Sequence, residues 1–554
     1  MSLPALEVFL ADEAFSALDR CFARQVVHWA KPESMLVGHA AALASWLLQR
    51  HHLCLPLEQS LDSIMAGPAR AAPWPSVTEW RDDLLRSGVV ATGEQEFLPL
   101  VLSPTNKLYL HRYAEYEQHL AAHLLARLAD DRLRVIVGGP GTGKTHTILH
   151  TLLGRIRDAP ESRIALAAPT GKAAQRMEES ILRGLAAMDL DAATRERVPA
   201  HASTLHRLLG SRSDSAFFRH DARNPLPLDL LVIDEASMVD LPLMAKLCAA
   251  LAPQTTLMLV GDPHQLASVE VGAVLADVVA AAGSNPALGG ALTTLRKQYR
   301  YGPESGIGRL AAAIREGDHA GALQILADDQ YPDVRLRALP GAAVLGEALQ
   351  RSAAFLSLRS AFADKAAAPR LAAHGRSRIL CPLRRGPWGV DNLNAVAERL
   401  LQAAGQIDAG RMWYDGRPVL VLRNDYDLGL FNGDTGVVCT DPGSGEPQVV
   451  FFDDRGAPRA LSPARLPPTQ TNFAMTVHRS QGSEFDHVLL VLPESDSTLL
   501  SRELLYTAAS RARRDVEIWA DAATIRRACE RPARRASGLA ERLVPQTSGP
   551  AHAG

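Results

Sequence analysis

Leu133–Thr147 reads LRVIVGGPGTGKTHT. A short apolar run of strand-forming residues is followed by Gly138-x4-Gly143-Lys144-Thr145, and then by a stretch compatible with a helix. A preceding strand, this glycine spacing and a following helix together distinguish a phosphate-binding loop from an ordinary glycine-rich turn. The glycines let backbone N–H groups converge on phosphate oxygens, with help from the positive end of the helix. Gly138, Gly139, Pro140, Gly141, Thr142, Gly143, Lys144, Thr145 and His146 are therefore expected to hold ATP. Lys144 supplies a point charge to the β- and γ-phosphates, and the Thr145 hydroxyl is expected to ligate Mg²⁺. The chain has only seven lysines among its 59 basic residues. A lysine at this position is informative, because arginine does not supply so compact a charge.

About 90 residues later, Leu230–Asp240 reads LLVIDEASMVD, with a strand expected at Leu230–Ile233. Asp-Glu after an apolar run can also cap a helix. Downstream of a phosphate loop, Asp234 fits the acid behind or on Mg²⁺, and Glu235 the group that orients and deprotonates the attacking water. Leu257–Leu266 (LMLVGDPHQL) gives a third strand ending, with Gln265 near the γ-phosphate.

Working outward, apolar runs at Leu133–Val137, Ile164–Ala168, Leu230–Ile233 and Thr256–Val260 alternate with helical stretches. That alternation implies a parallel sheet with its loops at the strand C-termini. Ser211–Pro227, polar and rich in Arg and Asp, is an excursion between strands, and a helical stretch runs from about 304 to 375. A second set of runs at Arg378–Cys381, Val488–Leu492 and Val516–Ala520 implies a second α/β domain. Within it, Pro418–Leu422, Thr435–Cys439 and Gln448–Phe452, joined by Gly/Asp/Asn turns, imply a small all-β insertion. Residues 1 to about 115 have helical texture, as in His39–Arg50 (HAAALASWLLQR), interrupted by a Pro-rich patch at Ala71–Ser76. A small, polar tail follows 541 and is expected to be disordered.

At 554 residues the chain has room for three or four domains. Its formal net charge is −2, so any polyanion contact must be a local groove. The six cysteines are far apart with no C-x-x-C, which argues against a disulfide framework or a cysteine zinc site. No basic n-region opens the chain and no long uncharged apolar run occurs, so a cytoplasmic, membrane-free protein is expected.

These motifs resemble the ordered set of the superfamily 1 helicases. The set comprises the P-loop, Ala168–Ala173 (APTGKA), Thr204–Leu209 (TLHRLL), Asp234–Ser237 (DEAS), Gly261–Leu266 (GDPHQL), Tyr299–Arg300, Thr476–Phe485 (TVHRSQGSEF) and Tyr506–Arg511. The resemblance covers about 130–520. Within the superfamily, Arg423–Gly436 (RNDYDLGLFNGDTG), Tyr301–Ile307 (YGPESGI) and Ser103–Arg112 (SPTNKLYLHR) resemble the RecD alpha subunits of RecBCD-type exonuclease V complexes.

The resemblance implies two RecA-like α/β domains at 116–290 and at 291–411 with 468–540. It also implies an SH3-like insertion at 412–467, a mainly helical partner-docking domain at 1–115, and a tail at 541–554. It implies catalytic roles for Lys144, Glu235, Gln265, Arg300 and Arg511, with the two arginines reaching the γ-phosphate from the second lobe. Gly482 and Glu484 match positions that face the nucleotide. Thr170, Thr204, His206, Thr476 and His478 lie in motifs that contact the DNA backbone. Gln118 is the available upstream glutamine for the adenine, at a spacing that departs from the family pattern. The implied partners are single-stranded DNA, duplex ends through the complex, and RecB-like and RecC-like subunits.

Other features have plainer readings. His201 and His206 are five apart, off a common helical face, and form no metal set. The cluster Arg526–Arg535 (RRACERPARR) fits a DNA or partner contact and fits a solvated helix end equally well. None of the residues two before the seven lysines is acidic, so the acid-x-Lys pattern of metal-dependent nucleases is missing and no nuclease site is expected. Two functions fit a P-loop in this setting: a 5′→3′ DNA motor, or an ATP-binding subunit that gates a partner. The strand-contact motifs favour the motor.

Overall fold

The computed structural model describes residues 4–32, 34–59, 75–93, 96–199, 201–212, 215, 217–302, 304–408, 410–425, 427–453, 456–494 and 499–545. Residues 71–74 of the Pro-rich patch and 546–554 of the expected tail lie outside them.

The P-loop strand, Leu133–Gly138, lies inside a six-stranded, all-parallel sheet. The order is Leu292–Leu295, Leu133–Gly138, Thr256–Gly261, Leu230–Ile233, Ile164–Ala168, Ala202–Thr204. Both faces are covered, which is why these strands read as continuous apolar runs rather than alternating ones. Ile136, Leu166, Val232 and Met258 pack on Ile148, Leu152, Met177 and Ile181 of the helices Lys144–Asp158 and Gly171–Ala186. Val135, Val137, Leu231, Ile233 and Leu259 face Leu120, Leu124, Met244 and Leu275 on the opposite side.

A second all-parallel sheet runs Val334–Arg337, Ala512–Trp519, Phe485–Val491, Ser377–Cys381, Ala474–Thr476. Between its last two strands the chain makes a five-stranded antiparallel sheet built on Pro418–Val421, Thr435–Thr440 and Pro447–Phe452. Pro458–Leu461 and Thr469–Thr471 complete its edges. Two α/β lobes with an all-β insertion are the architecture expected from the motifs.

Three features differ from the sequence reading. The strand Leu292–Leu295 pairs with Leu133–Gly138, so the chain leaves the first sheet after 295 rather than at 290. The N-terminal region carries, beside the helices Ala17–Trp29, Met35–Leu48 and Val77–Arg86, a four-stranded sheet of very short strands. Strands of two to four residues leave almost no alternation to read.

The third difference is at the C-terminus. Leu539 and Leu543 are fully buried against the first lobe, in the helix Leu539–Arg542 and just beyond it, so the chain past 541 is packed as far as 544. Burying two leucines contributes roughly 1.5–3 kcal/mol each. Ordering the segment costs about 1–2 kcal/mol per residue in backbone entropy, so polar anchors must share the work. They are the half-buried Arg535, bonded to backbone carbonyls, and the fully buried Glu117, which accepts from Ser537, Gly538 and Arg542. Arg535 is thus engaged with the first lobe rather than a solvated helix end.

Candidate nucleotide and DNA site

The parallel register sets Gly138 beside Leu295 and Val137 beside Gly261, with Ile233 two strands further on. The P-loop, Asp262 and the Asp234-Glu235 pair therefore emerge along one edge of the sheet. The helix Lys144–Asp158 starts at Gly143, and Lys144 Nζ donates to the carbonyls of Gly138 at 2.8 Å and Gly139 at 3.0 Å. Gly141 has a φ of +80°, and a Cβ there would lie 2.2 Å from Arg300 Cβ. Only glycine fits under that side chain.

Asp234 Oδ1 accepts from the Glu235 amide at 2.8 Å. Burial first, then the adjacent Glu235 charge, push the Asp234 carboxyl up to about 6, with Lys144 opposing. Glu235 has a φ of +50°. A left-handed non-glycine residue costs on the order of 1–3 kcal/mol and persists where surrounding structure fixes it, commonly at a functional site.

Gln265 and Arg511 meet across the lobes. Arg511 Nη2 donates to Gln265 Oε1 at 2.7 Å, Nη1 to Ser483 O at 3.2 Å and Nε to Thr507 O at 3.2 Å. Gln265 Nε2 donates in turn to Asp262 Oδ2 at 3.2 Å, which also accepts the Tyr506 hydroxyl at 2.9 Å. Thr507 Oγ1 accepts the Leu266 amide at 2.8 Å, and Gln481 Nε2 donates to Leu266 O at 2.5 Å. All of these side chains are buried.

Arg300 stands at the same junction, but it is rooted in the segment leaving the first sheet. The adjacent Tyr299 amide donates to Gly141 O at 2.8 Å. Its expected origin in the second lobe is corrected accordingly. Arg300 pairs with Glu484, which also receives Arg513 at 2.9 Å and lies 3.7 Å from Arg176. Burial alone would raise the Glu484 pKa, but the guanidiniums of Arg300, Arg176, Arg513 and Arg511 hold it down to about 2. Among the described residues, Arg300 Nη1 is a buried nitrogen without a hydrogen-bond partner. Gly482 (φ +66°) abuts Ala173 at the start of the helix Gly171–Ala186.

The residues expected to contact DNA lie at or just beyond strand ends of the two sheets. Thr170 and Thr204 cap their helices, accepting from Ala173 N and Arg207 N, each at 3.2 Å. Thr476 Oγ1 accepts from Arg479 N at 3.4 Å. A threonine that accepts in this way keeps its own O–H free to donate to a phosphate oxygen. His206 is edge-on to Phe218, with ring centroids 5.8 Å apart, and burial lowers its pKa. His478 is set apart from these. Burial first, then Arg535 and His51, lower its pKa, which places it toward the N-terminal region and the C-terminal segment.

The sequence reading missed several participants. Tyr506 and Thr507 lay within a quoted motif but carried no role. Arg176 and Arg513 had no signal beyond being arginines in an arginine-rich chain. Tyr299 is 67% exposed, its ring lies 3.4 Å from where a Cβ on Gly143 would be, and Lys297 Nζ stands 5.0 Å from the ring centroid. Lys172, in APTGKA, is held down to about 7 by burial and then by Arg176 and Arg378.

A family model described as an AAA domain matches residues 122–271, and one described as a UvrD-like helicase C-terminal domain matches 472–518. A third, the RecBCD enzyme subunit RecD N-terminal domain, matches 11–109. The RecBCD enzyme subunit RecD of Mycolicibacterium smegmatis is 39% identical, over 91% of this chain and 93% of that protein. Its counterpart from Mycobacterium tuberculosis H37Rv is 40% identical, over 92% of this chain and 91% of that protein. The ATP-dependent RecD2 DNA helicase of Deinococcus radiodurans is 34% identical, over 71% of this chain but 47% of its own length. The similarity thus runs through the N-terminal region as well as the motor lobes, and the chain belongs to the RecD family of RecBCD enzyme subunits.

Proposed function

We propose that this chain is the ATP-driven, 5′→3′ DNA motor of a RecBCD-type helicase–nuclease that processes broken duplex ends in recombinational repair. The observation that carries the reading is the Arg511–Gln265 hydrogen bond. It ties an arginine of one lobe to a glutamine at the phosphate edge of the other, so chemistry at the nucleotide and movement between lobes are one event.

The residues fit a bound nucleotide. Gly141 lets Arg300 pack directly on the phosphate loop, and Arg300 carries a buried Nη1 with no partner among the described residues. Lys144 neutralises the β- and γ-phosphates, and Tyr299 offers its ring to the base. Thr145 and Asp234 would hold Mg²⁺, which would supply positive charge to disperse that of the phosphates. Glu235 takes the proton of the attacking water, Gln265 orients that water, and Arg511 and Arg300 stabilise the transferring phosphoryl group.

The strand lies across the ends of both sheets, held through its backbone by Thr170, Thr204, His206 and Thr476, with His478 set back from them. Such contacts read phosphate and sugar, and so serve a motor that must pass any sequence. Residues 1–115 dock on a RecC-like subunit alongside a RecB-like one. The sequence has no acid-x-Lys nuclease pattern, so cutting falls to a partner subunit, and the chain acts in the cytoplasm. DNA-stimulated ATP hydrolysis, and unwinding of 5′- and 3′-tailed duplexes by the complex, test the reading. Absence of both would end it.

A further inference from the structure

After the second sheet is complete, the chain crosses back to the first lobe. On the second lobe it is pinned at Arg531, whose carbonyl accepts from Arg502 N at 2.9 Å. It is pinned again at Ala533, whose amide donates to Glu503 at 2.6 Å. Both partners belong to the helix Arg502–Ala509, which carries Tyr506 and Thr507 and leads into Arg511. Two residues later, Arg535 enters the first lobe. Its guanidinium donates to Ser268 O at 2.6 Å, Gly272 O at 2.7 Å, Glu270 O at 2.8 Å and Ser268 Oγ at 3.3 Å. Two residues of extended chain span at most roughly 7 Å, so the two anchorages move together.

The turn that Arg535 fills begins three residues after Gln265. A half-buried guanidinium whose donors are met by the carbonyls of one turn restrains the shape of that turn, because each carbonyl that swung away would give up a charge-assisted hydrogen bond. The turn is held within the first lobe by Leu241 N, which donates to Val271 O at 3.2 Å, and its further neighbours include the N-terminal region. His51 O accepts from Gly272 N at 3.2 Å, Ala536 N donates to His52 Nδ1 at 3.0 Å, and Leu53 N donates to Ala536 O at 2.8 Å. Gln265 is thus held twice by the second lobe, directly through Arg511 and indirectly through this turn.

We propose that Arg535 is a positioning residue for ATP hydrolysis, holding the Ser268–Gly272 turn so that Gln265 stays in register with Arg511, and that residues 533–535 are the short tether through which lobe rotation carries that turn. The proposal rests on the motor reading above. It adds a residue outside the helicase motifs, and a link from the N-terminal region to the hydrolysis site.

The test uses the full chain in its native complex with two variants, Arg535→Met and an insertion of two glycines between Ala533 and Arg534. Arg535→Met is expected to lower the DNA-stimulated kcat by about tenfold or more while KM for ATP stays within about threefold. The insertion keeps every anchor and slackens only the tether. It is expected to leave kcat within about threefold and to cut base pairs unwound per ATP at least about threefold. Amide hydrogen exchange over 265–272 should quicken in Arg535→Met, and this readout needs no turnover. A kcat within twofold of wild type in folded Arg535→Met, or unchanged exchange over 265–272, would overturn the positioning role. Unaltered base pairs per ATP in the insertion variant would overturn the tether, and this variant decides alone if Arg535→Met does not fold. A wild-type complex without DNA-stimulated hydrolysis would instead sink the motor reading, leaving the exchange result to judge the turn.

Discussion

Arg511 Nη2 and Gln265 Oε1 are 2.7 Å apart across the boundary between the two parallel-sheet lobes. The pair is buried, and Gln265 passes the contact on to Asp262 and Tyr506. A hydrogen bond that spans a moving boundary can register whether the boundary is closed.

Arg511→Ala should cut kcat by roughly 10³-fold or more while nucleotide affinity stays within about tenfold, as for an arginine that acts on the transition state. Gln265→Ala should be impaired less, and the double variant no worse than Arg511→Ala. Steady-state kinetics on the four proteins of the cycle measure the coupling, expected at about 1–3 kcal/mol for groups in direct contact. Additive losses would mean that the two act separately.

Lys144→Gln should abolish DNA-stimulated ATPase activity, because the charge facing the β- and γ-phosphates is lost. Glu235→Gln should retain nucleotide binding and lose turnover, because only the base is removed. Fluorescent-nucleotide binding and phosphate release, measured on both, separate the roles. Sustained turnover by either variant would remove that residue from the site.

Glu484→Gln leaves Arg300, Arg176, Arg513 and Arg511 facing one another without their shared carboxylate. The cluster is partly exposed, so the loss should fall below the roughly 3–5 kcal/mol of a fully buried ion pair. The melting temperature at neutral pH should drop, and Mg·ADP should raise it more than in wild type, since phosphates resupply negative charge beside Arg300. Equal stabilisation of both proteins by the nucleotide would place Glu484 away from it.

Asp277 gives a pH dependence with a definite sign. Burial pushes its carboxyl up to about 7, helped by Glu117 and opposed by Ser537, Lys107 and Arg535. The folded protein keeps a proton that the unfolded chain releases from about pH 4 upward. The stability is therefore intact below that pH and is lost progressively as pH rises towards 7. Asp277→Asn mimics the protonated form, so its advantage over wild type should be small at pH 5 and at least roughly 2 °C larger at pH 8. A difference independent of pH would contradict the assignment.

Most of the motor was legible because its signals are local. The strand Ile164–Ala168 has the bounds its apolar run implied, and Leu133–Gly138 and Thr256–Gly261 each extend it by one residue. What the sequence could not show is what crosses between distant segments. Glu484 lies more than 300 residues from Arg176, and nothing local marks the pair. Arg535 had an ordinary appearance inside RRACERPARR, and only the carbonyls of a turn 263 residues away give it a purpose. The short strands of the N-terminal region failed for the opposite reason, since too few residues alternate to reveal them.

The central claim, that this chain spends ATP to move DNA, is tested most directly by unwinding of a 5′-tailed duplex. The complex carrying the wild-type chain is compared with the same complex carrying Lys144→Gln. The account predicts that 5′-tailed unwinding is lost with Lys144→Gln while the assembled complex remains intact. Equal unwinding by the two complexes would show that the chain binds ATP without driving translocation.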